Sequence, residues 1–261
     1  MRPSARVMGS SMETMTKTIT IRKKQWYSKD TFGLEVYAPG IDPQPGQFFQ
    51  LRVGDGFDPF LNRPISVASY VGGKLLFITK VVGRGTHLLS QKNVGEKLVM
   101  FGPLGTAIKV MRKKSLLIAG GIGVAPLYFL AQNLSKHGVR YTFLYGAKRP
   151  EEIILKNRIR KIAHRTLFVT EYGSTKRMTA VQAMKRLEIN AYEVAYACGP
   201  RPMLIEIQQL RLPIPVYAFC EDFLGCGCGL CLGCAILYKG TYKRICTDGP
   251  VFELSGIDFN A

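Results

Sequence analysis

The chain has no uninterrupted apolar run of about 18 residues, so no segment is long and oily enough to cross a bilayer as a helix, and a soluble protein without membrane contact is expected. Residues 1–17 lack the apolar core of ~7–15 residues that defines a secretory signal. They are expected to form a disordered tail, with Met8, Met12 and Met15 as further start points inside it. Internal repeats and low-complexity tracts are absent as well, which sets aside solenoids and fibrous architectures. Acidic residues are scarce, 18 against 36 basic ones, giving a net charge of +18. That excess carries no aromatic and basic platform and no recognition motif, so nucleic acid is not the expected partner. Anionic dinucleotides and an acidic protein partner suit it better.

The basic excess is uneven. Residues 218–261 hold three basic side chains (Lys239, Lys243, Arg244) and five acidic ones (Glu221, Asp222, Asp248, Glu253, Asp258). The first 217 residues therefore keep 33 basic against 13 acidic, and a slightly acidic module sits on a basic body. Seven cysteines in a 261-residue chain without a secretion signal argue for a reducing compartment, the cytoplasm, where thiols stay free to act as ligands.

Four of them, Cys226, Cys231, Cys234 and Cys246, are spaced C-x4-C-x2-C with the last after eleven further residues, the ligand spacing of a plant-type 2Fe-2S cluster. A loop around sulfide-bridged iron must bend sharply, and Gly225, Gly227, Gly229 and Gly233 allow it. No histidine lies in this region to complete a mixed zinc site; the three histidines are His87, His137 and His164. A fifth cysteine, Cys228, creates an overlapping C-x2-C-x2-C run, but the four-iron pattern's closing Cys-Pro is absent, so two iron atoms are expected.

From Thr18 to about Ile108, short alternating runs such as Thr18–Arg22, Gly33–Tyr37, Phe48–Val53 and Leu75–Val82 are broken by Pro-Gly and Gly-Gly turns, which predicts an antiparallel barrel. From Lys113 onward apolar strands alternate with helical patterns, beginning with Ser115–Ala119 and Pro126–His137, which predicts a parallel α/β sheet. The expected organisation is a tail at 1–17, a barrel at 18–110, an α/β domain at 111–217 and a cluster module at 218–261.

Each half carries ligand-suited motifs. In the barrel, Arg63-Pro64-Ile65-Ser66 presents a guanidinium suited to a pyrophosphate and a hydroxyl three residues on, although such a stretch is also an ordinary strand entry. Gly83-Arg84-Gly85-Thr86 opens a helix, where backbone N–H groups suit phosphate and Thr86 suits a cap. In the α/β half, Gly120-Gly121-Ile122-Gly123-Val124-Ala125-Pro126 occupies a strand-to-helix turn. It departs from the standard dinucleotide fingerprint, since Pro126 replaces the last glycine and Lys148-Arg149, not an acidic residue, end the next strand. Cys198-Gly199-Pro200 ends a later strand, either as a buried cysteine at a tight turn or as the nicotinamide side of a dinucleotide site.

In this order the motifs resemble the ferredoxin reductase superfamily, and more closely the iron–sulfur electron-transfer subunits of B-type, NAD-linked dihydroorotate dehydrogenases. The resemblance runs from about Thr18 to Phe252 and includes Pro45-Gly46-Gln47-Phe48, Gly102-Pro103-Leu104-Gly105 and Cys246-Thr247-Asp248-Gly249-Pro250. It implies that Arg63, Pro64, Ile65, Ser66, Ile78, Thr79, Lys80, Gly85 and Thr86 contact FAD, that Gly120, Gly121, Gly123 and Pro126 serve NAD, and that the four cysteines hold the cluster. It further implies an FMN-containing dihydroorotate-oxidising partner, two of each subunit in a heterotetramer, and a place in pyrimidine biosynthesis. Leu224 stands where the family usually has methionine, Thr79-Lys80 replace residues that are often aromatic or basic, and Cys228 is an addition. Two other readings compete: a subunit of a ferredoxin- or sulfur-linked NAD(P)H oxidoreductase, with Lys148 and Arg149 on a 2′-phosphate, and a non-catalytic zinc-knuckle protein.

Overall fold

The computed structural model describes residues 15–54, 56, 58–173 and 177–259. Most of the expected tail lies outside these residues, but Thr16 and Lys17 already belong to the first strand, where they pair with Phe101 and Met100. The strand begins early because the sixth barrel strand runs on past Phe101 and offers a backbone edge for them to pair with.

Six strands close a barrel: β1 (Thr16–Trp26), β2 (Thr31–Tyr37), β3 (Phe48–Arg52), β4 (Arg63–Val71), β5 (Lys74–Lys80) and β6 (Lys97–Leu104), in the order β1-β2-β5-β4-β3-β6. Alternation sends Ile21, Leu34, Phe49, Leu75, Phe77 and Met100 inward, each almost without solvent contact, and closure leaves no free strand edge. A helix, α1 (Arg84–Gln91), connects β5 to β6 and buries Leu89.

The second layer is a six-stranded sheet. Its parallel strands are β7 (Ser115–Gly120), β8 (Tyr141–Ala147), β9 (Arg165–Thr170), β10 (Val194–Cys198) and β11 (Val216–Phe219). The helices α2 (Val124–Lys136), α3 (Lys156–Ile162), α4 (Ala180–Met184) and α5 (Arg201–Gln209) alternate with them. Strand order is β9-β8-β7-β10-β11, so the direction of winding reverses between β7 and β10 and opens a crevice at their C-terminal ends. Every residue of β7 and β8 is buried, as expected of parallel strands covered on both faces. Helix α2 joins the layers: Val124, Leu127 and Leu130 share a core with Ala68, Leu76 and Ile78 of the barrel, and Phe129 reaches the barrel interior.

The C-terminal region departs from a separate module at 218–261. Strand β11 crosses its expected start, and after β12 (Ala235–Tyr238) and β13 (Thr241–Arg244) the chain returns as β14 (Val251–Glu253), which pairs antiparallel with β11 at the sheet edge. A last short strand, β15 (Ile257–Asp258), pairs with β12. The return is stabilised by burial: Cys234, Ile245, Cys246, Phe252 and Ile257 share one core with Leu116, Ile118 and Ala195 of the sheet. The cluster segment is thus a loop and hairpin inserted between two strands of the α/β sheet.

Candidate redox site

A cavity of about 300 Å³ opens where the barrel, the start of α2 and the segment after β11 meet. Pro64, Ile65 and Ser66 reach it from β4, Ile78, Thr79 and Lys80 from β5, and Thr86 from α1. Seven of the nine residues expected at FAD therefore converge on one space. Arg63 and Gly85 stand together beside it: the guanidinium packs so closely on Gly85 that a Cβ there would overlap Arg63 Nε at 1.8 Å. Arg63 Nη1 donates to the carbonyls of Leu61 and Asn62, which holds the cation against the first turn of α1. Cation and helix N-terminus together suit a phosphate.

Thr86 differs from its expected role as cap. It is the third residue of the helical turn, and its hydroxyl reaches back to accept from Val82 N (2.9 Å) and Gly83 N (3.1 Å) while donating to Gly83 O. Gly83 has no side chain to cap with, so Thr86 satisfies the turn from inside. Lys80 makes ion pairs with Asp30 (3.2 Å) in the barrel and Glu152 (3.8 Å) in the α/β layer, linking the two at the cavity rim.

The glycine turn after β7 divides its work. A Cβ on Gly123 would sit 2.2 Å from Cys198 O, and one on Gly120 would sit 2.7 Å from Met203 Sδ, so both permit close packing of the β7 and β10 ends. Gly121, at φ +55°, faces open space. Pro126 lines the 300 Å³ cavity, on the barrel side. Gly199 lines a second cavity of about 250 Å³, bounded by α5 and the cluster segment, whereas Cys198 is buried beneath the turn.

Sequence reasoning passed over Glu221. It lines both cavities and its side chain accepts from Cys198 Sγ at 3.9 Å. Glu221 is open to solvent as a residue, but the chain crowding the cavity junction desolvates its carboxyl and raises its pKa, the Cys198 thiol pulling the other way; full burial pushes the Cys198 thiol well above its usual range. Both groups hold their protons beyond the ordinary range and can offer a neutral hydrogen-bond network at the cavity junction. An acidic pair, Glu221-Asp222, directly after an apolar strand in a basic body was the available signal. Cys220, Leu224, Phe48, Ile122 and Pro250 also line the first cavity and carried no signal beyond being apolar or small.

Five residues after Glu221 comes Cys226, the first cysteine of the C-x4-C-x2-C run. Gly227 and Gly229, at φ +74° and +84°, bend the loop so that Leu230 N and Cys231 N donate to Cys226 Sγ at 3.3 and 3.4 Å. Desolvation opposes charge on Cys226, but N–H groups of Cys231, Cys228 and Leu230 outweigh it and hold this thiol down at about 6. Burial, then the neighbouring Cys234 thiol, push Cys246 up to about 12. Two thiols this close ionise together only against a cation, which the iron of a bound cluster would supply. The thiols thus gather as two contacting pairs, Cys226 with Cys231 and Cys234 with Cys246, a donor set that fits two bridged iron atoms. Among the described residues no three Cys, His, Asp or Glu side chains converge as ligands of one ion. Cys228 also lies against Cys226, and its pKa is raised by burial first and by Cys226 next.

Residues 221–258 match the iron–sulfur cluster binding domain of dihydroorotate dehydrogenase B, and residues 117–209 match the oxidoreductase NAD-binding domain. The electron transfer subunit of dihydroorotate dehydrogenase B (NAD(+)) from Bacillus caldolyticus is 35% identical over 221 residues, covering 80% of this chain and 85% of that protein. The subunit of the same name from Desulforamulus reducens is 36% identical over 237 residues, covering 85% and 90%. Among solved structures, the NADH-dependent reduced ferredoxin-NADP oxidoreductase, described for flavin-based electron bifurcation, superposes with a TM-score of 0.85 at 27% identity, covering 93% of this chain and 90% of that one.

Proposed function

This chain belongs to the family of NAD-linked dihydroorotate dehydrogenase B electron-transfer subunits, and from that premise we propose that it passes electrons from a dihydroorotate-oxidising partner through a 2Fe-2S cluster and FAD to NAD+, in pyrimidine biosynthesis. One observation carries the reading: the continuous segment Cys220–Cys226 lines the 300 Å³ cavity with Cys220, Glu221, Asp222 and Leu224 and then supplies the first cluster thiol. When bound, the cluster takes electrons one at a time, and FAD converts between such single steps and the two-electron exchange with a nicotinamide.

The residues have separate tasks in this scheme. Arg63 and Gly85 take the FAD pyrophosphate, Ser66 and Ile78 to Lys80 border the ring system, and Thr86 keeps the helix start in shape. Gly121 admits NAD at the crevice between β7 and β10, with Cys198 and Gly199 on the nicotinamide side. Cys226, Cys231, Cys234 and Cys246 hold the cluster. No group of the described residues suits acid or base catalysis on dihydroorotate, and that chemistry belongs to the partner, an FMN-containing subunit joined two to two with this one.

The docking face follows from exposure. Cys231 is exposed, and Phe223 (91%), Leu230 (68%) and Leu232 (63%) surround the loop as uncovered apolar side chains. Apolar groups this exposed mark a surface that another protein covers. Free thiols at all seven cysteines suit the reducing cytoplasm, and no helix of the described residues is long and apolar enough to cross a membrane.

The test is anaerobic mixing of this protein with the dihydroorotate-oxidising subunit, followed by dihydroorotate and then NAD+. Flavin and iron–sulfur absorption should bleach on the first addition and recover on the second. Bands that bleach with NADH but never with dihydroorotate would keep the cofactors and reject this partner. A second reading, an oxidoreductase linked to ferredoxin and NADPH, is favoured by Lys148 and Arg149 following β8 where an acidic residue would hold a free ribose. NADPH outcompeting NADH in dye reduction would move the assignment there.

A further inference from the structure

The side chain of Gln50 is one of the few buried polar groups of the barrel, 1% exposed in the middle of β3. Its Nε2 donates to Leu224 O at 2.7 Å, a bond that spans 174 residues of sequence. Its Oε1 finds no partner among the described residues. The orientation is set by the one bond it makes, because a reversed amide would face the Leu224 carbonyl with a second acceptor. The same side chain packs on Gly227: a Cβ there would come within 2.9 Å of Gln50 Cγ and 3.0 Å of Nε2. Gln50 therefore touches the cluster loop two residues before Cys226 and one residue after it.

A buried amide with an idle oxygen costs stability, and an apolar side chain of equal length would remove that cost only by leaving the Leu224 carbonyl unpaired. What the amide offers and a hydrocarbon does not is the N–H bond to the Leu224 carbonyl. Leu224 itself lines the 300 Å³ cavity. A displacement of this carbonyl changes the position of Cys226 and the spacing between cavity and cluster at once.

We propose that Gln50 is a positioning residue that ties the barrel to the cluster loop on both sides of Cys226 and so sets the placement and retention of the cluster relative to the flavin cavity. The inference rests on the redox reading above. It assigns a function in cluster geometry to a barrel residue whose backbone is paired with Pro64 of the flavin motif and whose side chain reaches the cluster loop instead.

The experiment compares Gln50→Met, which keeps length and loses the donor, with Gln50→His, which keeps a ring N–H. Both are made in the full chain with its cofactors. Iron release to a ferrous chelator should be about tenfold faster in Gln50→Met, the usual scale for losing a group that orients a metal ligand. The paramagnetic resonance spectrum of its reduced cluster should shift, while bound FAD and NADH-driven dye reduction stay at wild-type values and the thermal midpoint falls by only about a few degrees, the scale of one lost buried hydrogen bond. Gln50→His should recover most of the iron retention. Wild-type iron release and an unchanged spectrum in Gln50→Met would overturn the proposal. So would equal losses of iron, FAD and thermal midpoint in both variants, which describe a packing defect. A wild-type protein that binds no iron would defeat the redox reading itself and this inference with it, a result distinct from a stable cluster that ignores the substitution.

Discussion

All thirteen residues of β7 and β8 are buried, whereas no residue of β12 or β13 is, although both pairs of strands lie in the same chain and share one core at their contact. The parallel sheet is held by area: strands such as Ser115–Gly120 and Tyr141–Ala147 are apolar on both faces, and each buried Leu or Phe contributes roughly 1.5–3 kcal/mol. The cluster hairpin has four-residue strands, positive-φ glycines and a few inward anchors, Cys234, Ile245 and Cys246 among them. Its shape depends on hydrogen bonds such as Arg244 Nη1 to Gly229 O (3.2 Å) and, on the proposed reading, on the cluster that the four thiols would ligate in common. A region built by burial tolerates the loss of a surface bond, and a region built by ligation does not tolerate the loss of a ligand.

That contrast can be broken most sharply at Cys231. Cys231→Ser should remove essentially all iron while FAD and NADH-driven dye reduction remain, read by iron analysis and absorption; equal loss of both activities would show that the two regions stand or fall together. In the sheet, Phe143→Ala should lower unfolding free energy by about 3–5 kcal/mol in denaturant titration, because Phe143 is fully buried on β8. Gly123→Ala should cost about 1–3 kcal/mol or more, since its new methyl overlaps the Cys198 carbonyl. Gly121→Ala meets open space but places a side chain at φ +55°, so its expected signature is weaker NADH binding with a backbone-strain cost of about 1 kcal/mol.

Glu221 sharpens the comparison at the seam. Crowding at the cavity junction raises its folded pKa above 4.5, so the native state holds the proton more tightly than the unfolded chain does, by a margin that its solvent exposure keeps small. Stability from this group is complete below 4.5 and is lost as pH rises through the raised value. Glu221→Gln should therefore gain stability relative to wild type as pH rises through that window, measured by denaturant titration on either side of it. A parallel pH dependence in both proteins would show that Glu221 is not the group responsible. The smallest effect is expected at Cys228, where Cys228→Ser should leave iron content unchanged; a fall would redraw the ligand set.

Local features were legible in the sequence. The spacing of Cys226, Cys231, Cys234 and Cys246 and the short apolar runs at Phe48–Arg52 and Ser115–Gly120 are written within a few residues, and fold class follows from them. What escaped was set by distant contacts. Nothing in Val251-Phe252-Glu253 announces a return to the sheet beside β11. Gly120, Gly121 and Gly123 are alike in sequence, and only the approach of Met203 and Cys198 separates the two that pack from the one that faces space. Gln50 and Leu224 acquire their connection only when the barrel and the cluster loop are in contact.

The central claim is that flavin and cluster exchange electrons within this one chain. Anaerobic addition of NADH to the purified protein without any partner, followed by absorption and low-temperature paramagnetic resonance, tests it directly. The account predicts flavin bleaching together with the signal of a reduced 2Fe-2S cluster, and loss of that signal alone in Cys231→Ser. Flavin that bleaches while a chemically reducible cluster stays oxidised would contradict it.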